Sequence, residues 1–185
     1  VPGLREVVES VFGAECVAKG LSITESGQTF SLKKDRNEKA IAVHLQACRS
    51  WPANTRRVDA LFICLPANSQ AFLIVLVELK GGNVEKGITQ LSQSAKMLCK
   101  GATDSPAPHS SKLHGWLNGD RTDGHGGHVL GVIVSRQGLP QEQQKRKAAR
   151  MAQKLVIRMR TTRQLSTTMD ELTSWISSRN WLSHP

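Results

Sequence analysis

Glu78 and Lys80 are an acid and a base two residues apart at the end of an otherwise apolar run, Ala71-Phe-Leu-Ile-Val-Leu-Val-Glu-Leu-Lys-Gly-Gly82. Along an extended strand alternate side chains share a face, so Glu78 and Lys80 project together with Leu79 opposite. A further acid, Asp59, opens the preceding apolar run, Val58-Asp-Ala-Leu-Phe-Ile-Cys-Leu65. If the intervening turn, Pro66–Gln70, centres between Asn68 and Ser69, antiparallel partners have numbers summing to 137. Asp59 then lies opposite Glu78. Opposed residues share a face, with Cβ atoms about 4.5–5.5 Å apart. Two carboxylates so placed repel, and a shared cation would offset the repulsion. The plainer alternative is a Glu78–Lys80 ion pair at a strand end.

These residues need elements to hold them. Seven consecutive apolar residues closed by glycines predict a buried central strand over 71–80. The run at 58–65 predicts its hairpin partner. Both faces of this hairpin are apolar, which predicts a sheet covered on both sides. Ala40–Ala47 alternates and predicts another strand, and Thr29–Leu32 suggests a short one. Leu4–Phe12 places apolar residues at helical spacing, a helix that Gly13 or Gly20 ends. Residues 84–99 predict a helix with 84, 88, 91, 95 and 98 inward. Val129–Ser135 predicts a buried strand. Gln141–Met159 predicts a basic helix with Ala148, Ala152, Leu155, Val156 and Met159 inward. Thr161–Thr168 reads as irregular or a short strand. Asp170–Leu182 predicts a terminal helix capped by Thr168 or Asp170.

The bulk composition narrows the function. The 185 residues suffice for one domain with a core, and 39% apolar against 22% charged residues excludes a disordered chain. Twenty-five Lys+Arg against 15 Asp+Glu give a net charge of +10, which points to a polyanionic partner, nucleic acid before an anionic membrane surface. No apolar stretch is long enough to span a bilayer. Cys16, Cys48, Cys64 and Cys99 are widely spaced, without a CxxC pair. They read as reduced thiols in a cytoplasmic protein. A start at Val1 rather than Met suggests a processed chain or a domain of a larger protein.

The order helix, strand, strand, strand, helix, strand, with Val58-Asp59, Glu78-Leu79-Lys80 and Gln90, resembles the PD-(D/E)xK nuclease superfamily, which includes restriction endonucleases and Holliday-junction resolvases. The resemblance implies a restriction-endonuclease-like αβββαβ core over about residues 4–135, a mixed central sheet flanked by helices. Residues 141–182 would pack on it within a single domain, 1–185. It implies that Asp59, Glu78 and the Leu79 carbonyl ligate Mg²⁺ or Mn²⁺. It implies that Lys80 positions or deprotonates the attacking water, and that Gln90 (or Gln93) steadies the site. The proline that commonly precedes the aspartate is absent, since Arg57 and Val58 stand there. Many members add a glutamate from the first helix. Glu6 and Glu9 are the candidates, and both fall opposite the apolar face.

The expected activity is metal-dependent hydrolysis of DNA, endonucleolytic in preference. The alternatives are an RNA-directed nuclease on the same scaffold and a non-catalytic nucleic-acid-binding module. A two-fold homodimer would be the arrangement by analogy for paired cleavage. Phosphate contacts are assigned to Arg56 and Arg57 beside the site, and to Lys147, Arg150 and Lys154. These last belong to a stretch with five basic residues and no acid between Lys145 and Lys154. The histidines at 109, 114, 125 and 128 and Trp116 lie in a long polar insert. They read as a substrate-contacting or plain surface loop before a zinc site.

Overall fold

The apolar runs become strands of one sheet, and the residues beside them supply its two covers. The structure is a computed structural model that describes residues 3–49, 56–67, 72–80, 83–100, 128–136 and 156–177. These form a mixed α/β fold with two mixed sheets and three α-helices. The main sheet has the order β3 (Lys39–His44), β4 (Ala60–Leu65), β5 (Leu73–Lys80), β6 (His128–Ser135), β7 (Val156–Thr161). Strands β3, β4 and β5 are antiparallel neighbours, and β6 and β7 run parallel to β5. The second sheet has the order β1 (Ser22–Glu25), β2 (Gln28–Lys33), β8 (Gln164–Thr168), with β8 parallel to β2.

Alternation sorts the main sheet into two cores. Leu61, Ile63, Ile74 and Leu76 pack with Val8, Val11 and Phe12 of α1 (Leu4–Phe12) and Ile88 and Leu91 of α2 (Val84–Lys100). Phe62, Val75, Val77 and Leu79 pack with Phe30 and Leu32 of β2 and with Met169 and Leu172 of α3 (Met169–Ser177). Burying one such side chain contributes about 1.5–3 kcal/mol, so β5, buried from Leu73 through Glu78 and on to Leu79, is the anchor of both cores.

Several expectations hold. Helix α1 spans the predicted residues and ends at Gly13, whose φ of 93° suits glycine. The β4–β5 register pairs Ala60 with Val77 and Leu61 with Leu76, the predicted sum of 137. Thr168 caps α3, its hydroxyl accepting from the Glu171 N–H while Glu171 accepts from the Thr168 N–H.

Others need correction. Residues 156–161 are strand β7, not the end of a basic helix. Val156-Ile157 is β-branched, and Arg158 and Arg160 flank Met159 in a period of two, which the coincident helical spacing masks. Strand β3 stops at His44, and a tight helical turn, Leu45–Ala47, follows. Asp59 stands just before β4 rather than within it. The Ser22–Glu25 strand carries too few apolar residues to be seen. Cys16 and Cys48 are not separate thiols. They pair with each other, with Cα atoms 5.0 Å apart, while Cys64 is buried and free. The turn at 68–71, Gly81-Gly82, the histidine-rich insert, residues 141–155 with Lys147, Arg150 and Lys154, and the end of the terminal helix lie outside the described residues.

Candidate acid–lysine site at the end of β5

The site forms where β5 outruns its antiparallel partner. Pairing with β4 starts at Ala60 opposite Val77, so Glu78, Leu79 and Lys80 extend past it while still pairing with Ile133, Val134 and Ser135 of β6. Beyond the paired region side chains take over from the ladder. The Leu79 N–H donates to Asp59 Oδ2 at 2.7 Å, and the Asp59 carbonyl accepts from Leu45 N–H at 3.1 Å. Gln46 Nε2 approaches Asp59 Oδ1 at 3.4 Å. Asp59 is thus fixed beside the β5 end by the turn that follows β3.

Glu78 is fully buried. Lys80 Nζ lies 2.5 Å from Glu78 Oε1 as an ion pair and keeps 20% of its side chain in solvent. Neither Glu78 oxygen has a partner at good hydrogen-bonding angles. Burial pushes the Glu78 carboxyl up to about 7, and the neighbouring Asp59 carboxylate adds to the rise. The Lys80 ammonium and the Asp59 N–H oppose it. Asp59 is also raised by burial, against the pull of the Leu79 N–H, Lys80 and Gln46, with the Glu25 carboxylate adding to the rise. The charge on Asp59 and the proton on Glu78 are therefore linked.

Helix α2 lies directly over this group. A Cβ on Gly87 would sit 3.3 Å from Glu78 Cγ, 3.4 Å from Lys80 Cγ and 3.5 Å from Ile133 Cδ1, so only glycine leaves the helix this close without displacement. One turn on, Gln90 Nε2 donates to the Arg57 carbonyl at 2.7 Å, and Ser94 Oγ accepts from Val58 N–H at 3.2 Å. Gln90 therefore grips the chain leading to Asp59, and its amide donates there rather than to the carboxylates.

The structure thus brings Asp59, Glu78, Leu79 and Lys80 together, with Gln90 one step behind. Arg57 turns to the Cys48 carbonyl, 3.1 Å away, and Arg56 is exposed. Glu6 caps α1 through the Gly3 N–H, and Glu9 pairs with Arg5 at 2.8 Å, so both first-helix acids are engaged at that helix. Gln28, Gln46, Gly87 and Ser94 escape the sequence reading. Only Gly87, a glycine inside a helical pattern, carried a signal.

Among the described residues no group of three or more His, Cys, Asp or Glu side chains is placed to hold a metal, so any ion would rest on two carboxylates, backbone oxygen and water. The donor chemistry fits a hard cation, because both acids offer oxygens and the Glu78 carboxyl is fully buried beside Asp59. Comparisons with protein-family models, curated proteins and solved structures return no significant match.

Proposed function

We propose that the chain is a metal-dependent nuclease of restriction-endonuclease-like type, acting on DNA. The observation that carries this reading is the Asp59–Glu78–Lys80 group. It comprises an acid just before β4 that accepts from the Leu79 N–H, a buried acid on β5, and a lysine ion-paired to that buried acid at a solvent-reaching strand end. With β1 and β2, which stand between α1 and β3, set apart in the second sheet, the remaining order α1, β3, β4, β5, α2, β6 supports the same scaffold, and the net charge of +10 suits a polyphosphate substrate.

In this reading Asp59 and Glu78, with the Leu79 carbonyl, hold Mg²⁺ or Mn²⁺. When bound, such an ion polarises a phosphate and acidifies water. Lys80 lies where its ammonium can orient the attacking water and balance charge developing on phosphate oxygen. Asp59 takes the Leu79 N–H and so keeps the strand end from shifting. Gln90, through the Arg57 carbonyl, positions Asp59 from behind. Arg56 and the basic residues Lys147, Arg150 and Lys154 are proposed phosphate contacts.

The net charge of +10 would serve one other reading equally, a nucleic-acid-binding module without chemistry. Incubation with linear, circular, single-stranded and branched DNA, and with RNA, separates the two. Cleavage that requires Mg²⁺ or Mn²⁺ and disappears with EDTA and in Lys80→Ala is the expected result. Binding without cleavage of any substrate would establish the module instead.

A further inference from the structure

We infer that Gln28 is a positioning residue for Lys80, held in place by the β1–β2 turn. The inference rests on the metal-dependent reading of Asp59, Glu78 and Lys80.

Gln28 opens β2, in the second sheet, and is fully buried. Its Nε2 donates to the Lys80 carbonyl, and its Oε1 is buried without a partner. Glutamine is mostly a surface residue, and burying an amide oxygen unpaired costs about 1–3 kcal/mol. An apolar side chain at this position would avoid that cost, so the amide needs a purpose. The purpose lies at the end of β5. There the β4 ladder has stopped, and two side chains hold the backbone instead. Asp59 takes the N–H of Leu79, and Gln28 takes the carbonyl of Lys80. The Cα–Cβ direction of Lys80 follows from its backbone, so the amide that holds the carbonyl also holds the root from which the ammonium reaches Glu78.

Gln28 is itself braced. Ser26 and Gly27 form the β1–β2 turn with φ of 51° and 70°, both in the left-handed region that tight hairpin turns use. Arg136 Nη2 reaches the Ser26 and Gly27 carbonyls at 3.4 and 3.3 Å. Arg136 directly follows Ser135, the β6 partner of Lys80. The path from Lys80 through Ser135, Arg136, the turn and Gln28 returns to Lys80, a closed circuit of contacts between the two sheets. On the other flank Thr29 N–H donates to the Arg163 carbonyl at 2.8 Å, and Thr29 pairs with Gln164 of β8.

Two variants test this. Gln28→Leu keeps the volume and removes the donor, and Arg136→Ala loosens the brace without touching the buried amide. Each is assayed for kcat, for KM on DNA and for half-saturation by Mg²⁺. Each is also examined by NMR of protein labelled at the lysine ε-carbon and ζ-nitrogen, with Lys80 assigned through Lys80→Arg. We expect kcat to fall on the order of tenfold in Gln28→Leu, with KM and metal half-saturation unchanged. Arg136→Ala should show a smaller fall of the same kind. In both, the Lys80 ε resonances should move toward those of a free lysine. Wild-type kcat with unmoved Lys80 resonances overturns the inference, as does a loss that only follows the unfolded fraction. If Gln28→Leu does not fold, Arg136→Ala carries the same readouts and decides by the same outcomes. If the unmodified protein cleaves nothing, the nuclease reading fails, and the Lys80 spectrum alone decides: unmoved resonances overturn the role of Gln28.

Discussion

A buried carboxyl ionises late even beside an ammonium, and Glu78, with Lys80 against it, changes charge near neutral pH. Burial raises its carboxyl from 4.5 to about 7. The folded, metal-free chain therefore holds a proton there that the unfolded chain releases near pH 4.5. Stability should fall as pH rises from about 4.5 to about 7 and level off above, by a few kcal/mol at most. Urea unfolding midpoints across that range check this, and Glu78→Gln should flatten the slope. Added Mg²⁺ should restore stability above pH 7 in the wild type and leave Glu78→Gln nearly unaffected, since ligand binding to the folded state alone is stabilising. Lys80→Ala should cost cleavage roughly 100-fold or more while the fold survives, because Lys80 is partly solvated. Unchanged single-turnover rates would remove Lys80 from the chemistry. At this scale the sequence was informative. The spacing of Glu78 and Lys80 gave their shared side, and the β4–β5 register held from Ala60 onward, with Asp59 one residue before it. Gln28 and Gln46 were invisible, because their contacts depend on tertiary geometry that no local pattern encodes.

Helix α2 shows how an element can hold a site without supplying its reactive groups. Gly87 lets it approach Glu78 and Lys80, and Gln90 and Ser94 hold the chain before β4. Gly87→Val should displace both charged stems and reduce cleavage strongly, although glycine is the poorer helix former by about a few tenths of a kcal/mol. Kinetics beside thermal melts separate these effects. Ser94→Ala should cost about 1–3 kcal/mol by leaving the buried Val58 N–H unpaired, read from denaturant unfolding. Strand β5 and helices α1 and α2 were legible because each has an unbroken apolar period. Strand β1, with Ile23 as its one buried residue, has none. Strand β7 deceived because Val156 and Met159 also fit a helical spacing.

For the whole molecule, the charge of +10 predicts DNA affinity that falls steeply with salt. A binding titration between about 50 and 200 mM salt, run in Ca²⁺ or EDTA to prevent turnover, should give a linear log–log plot with a slope of several units. A flat plot would remove phosphate contact as the source of affinity. The two-layer cover of the main sheet followed from the apolar faces of the hairpin, but the identity of one cover did not. A second sheet that joins β1 and β2 to β8 requires pairing between residues far apart in sequence. That long-range pairing gives the β2–β8 ladder a temporal meaning. As the chain emerges from the ribosome, both acids, the lysine and α2 are available by residue 100. The strand that fixes β2 comes only with residues 164–168. A nascent chain halted before β8 would carry every reactive side chain and still hold Gln28 on an edge strand. Competence would then arrive only once residues 164–168 have been made.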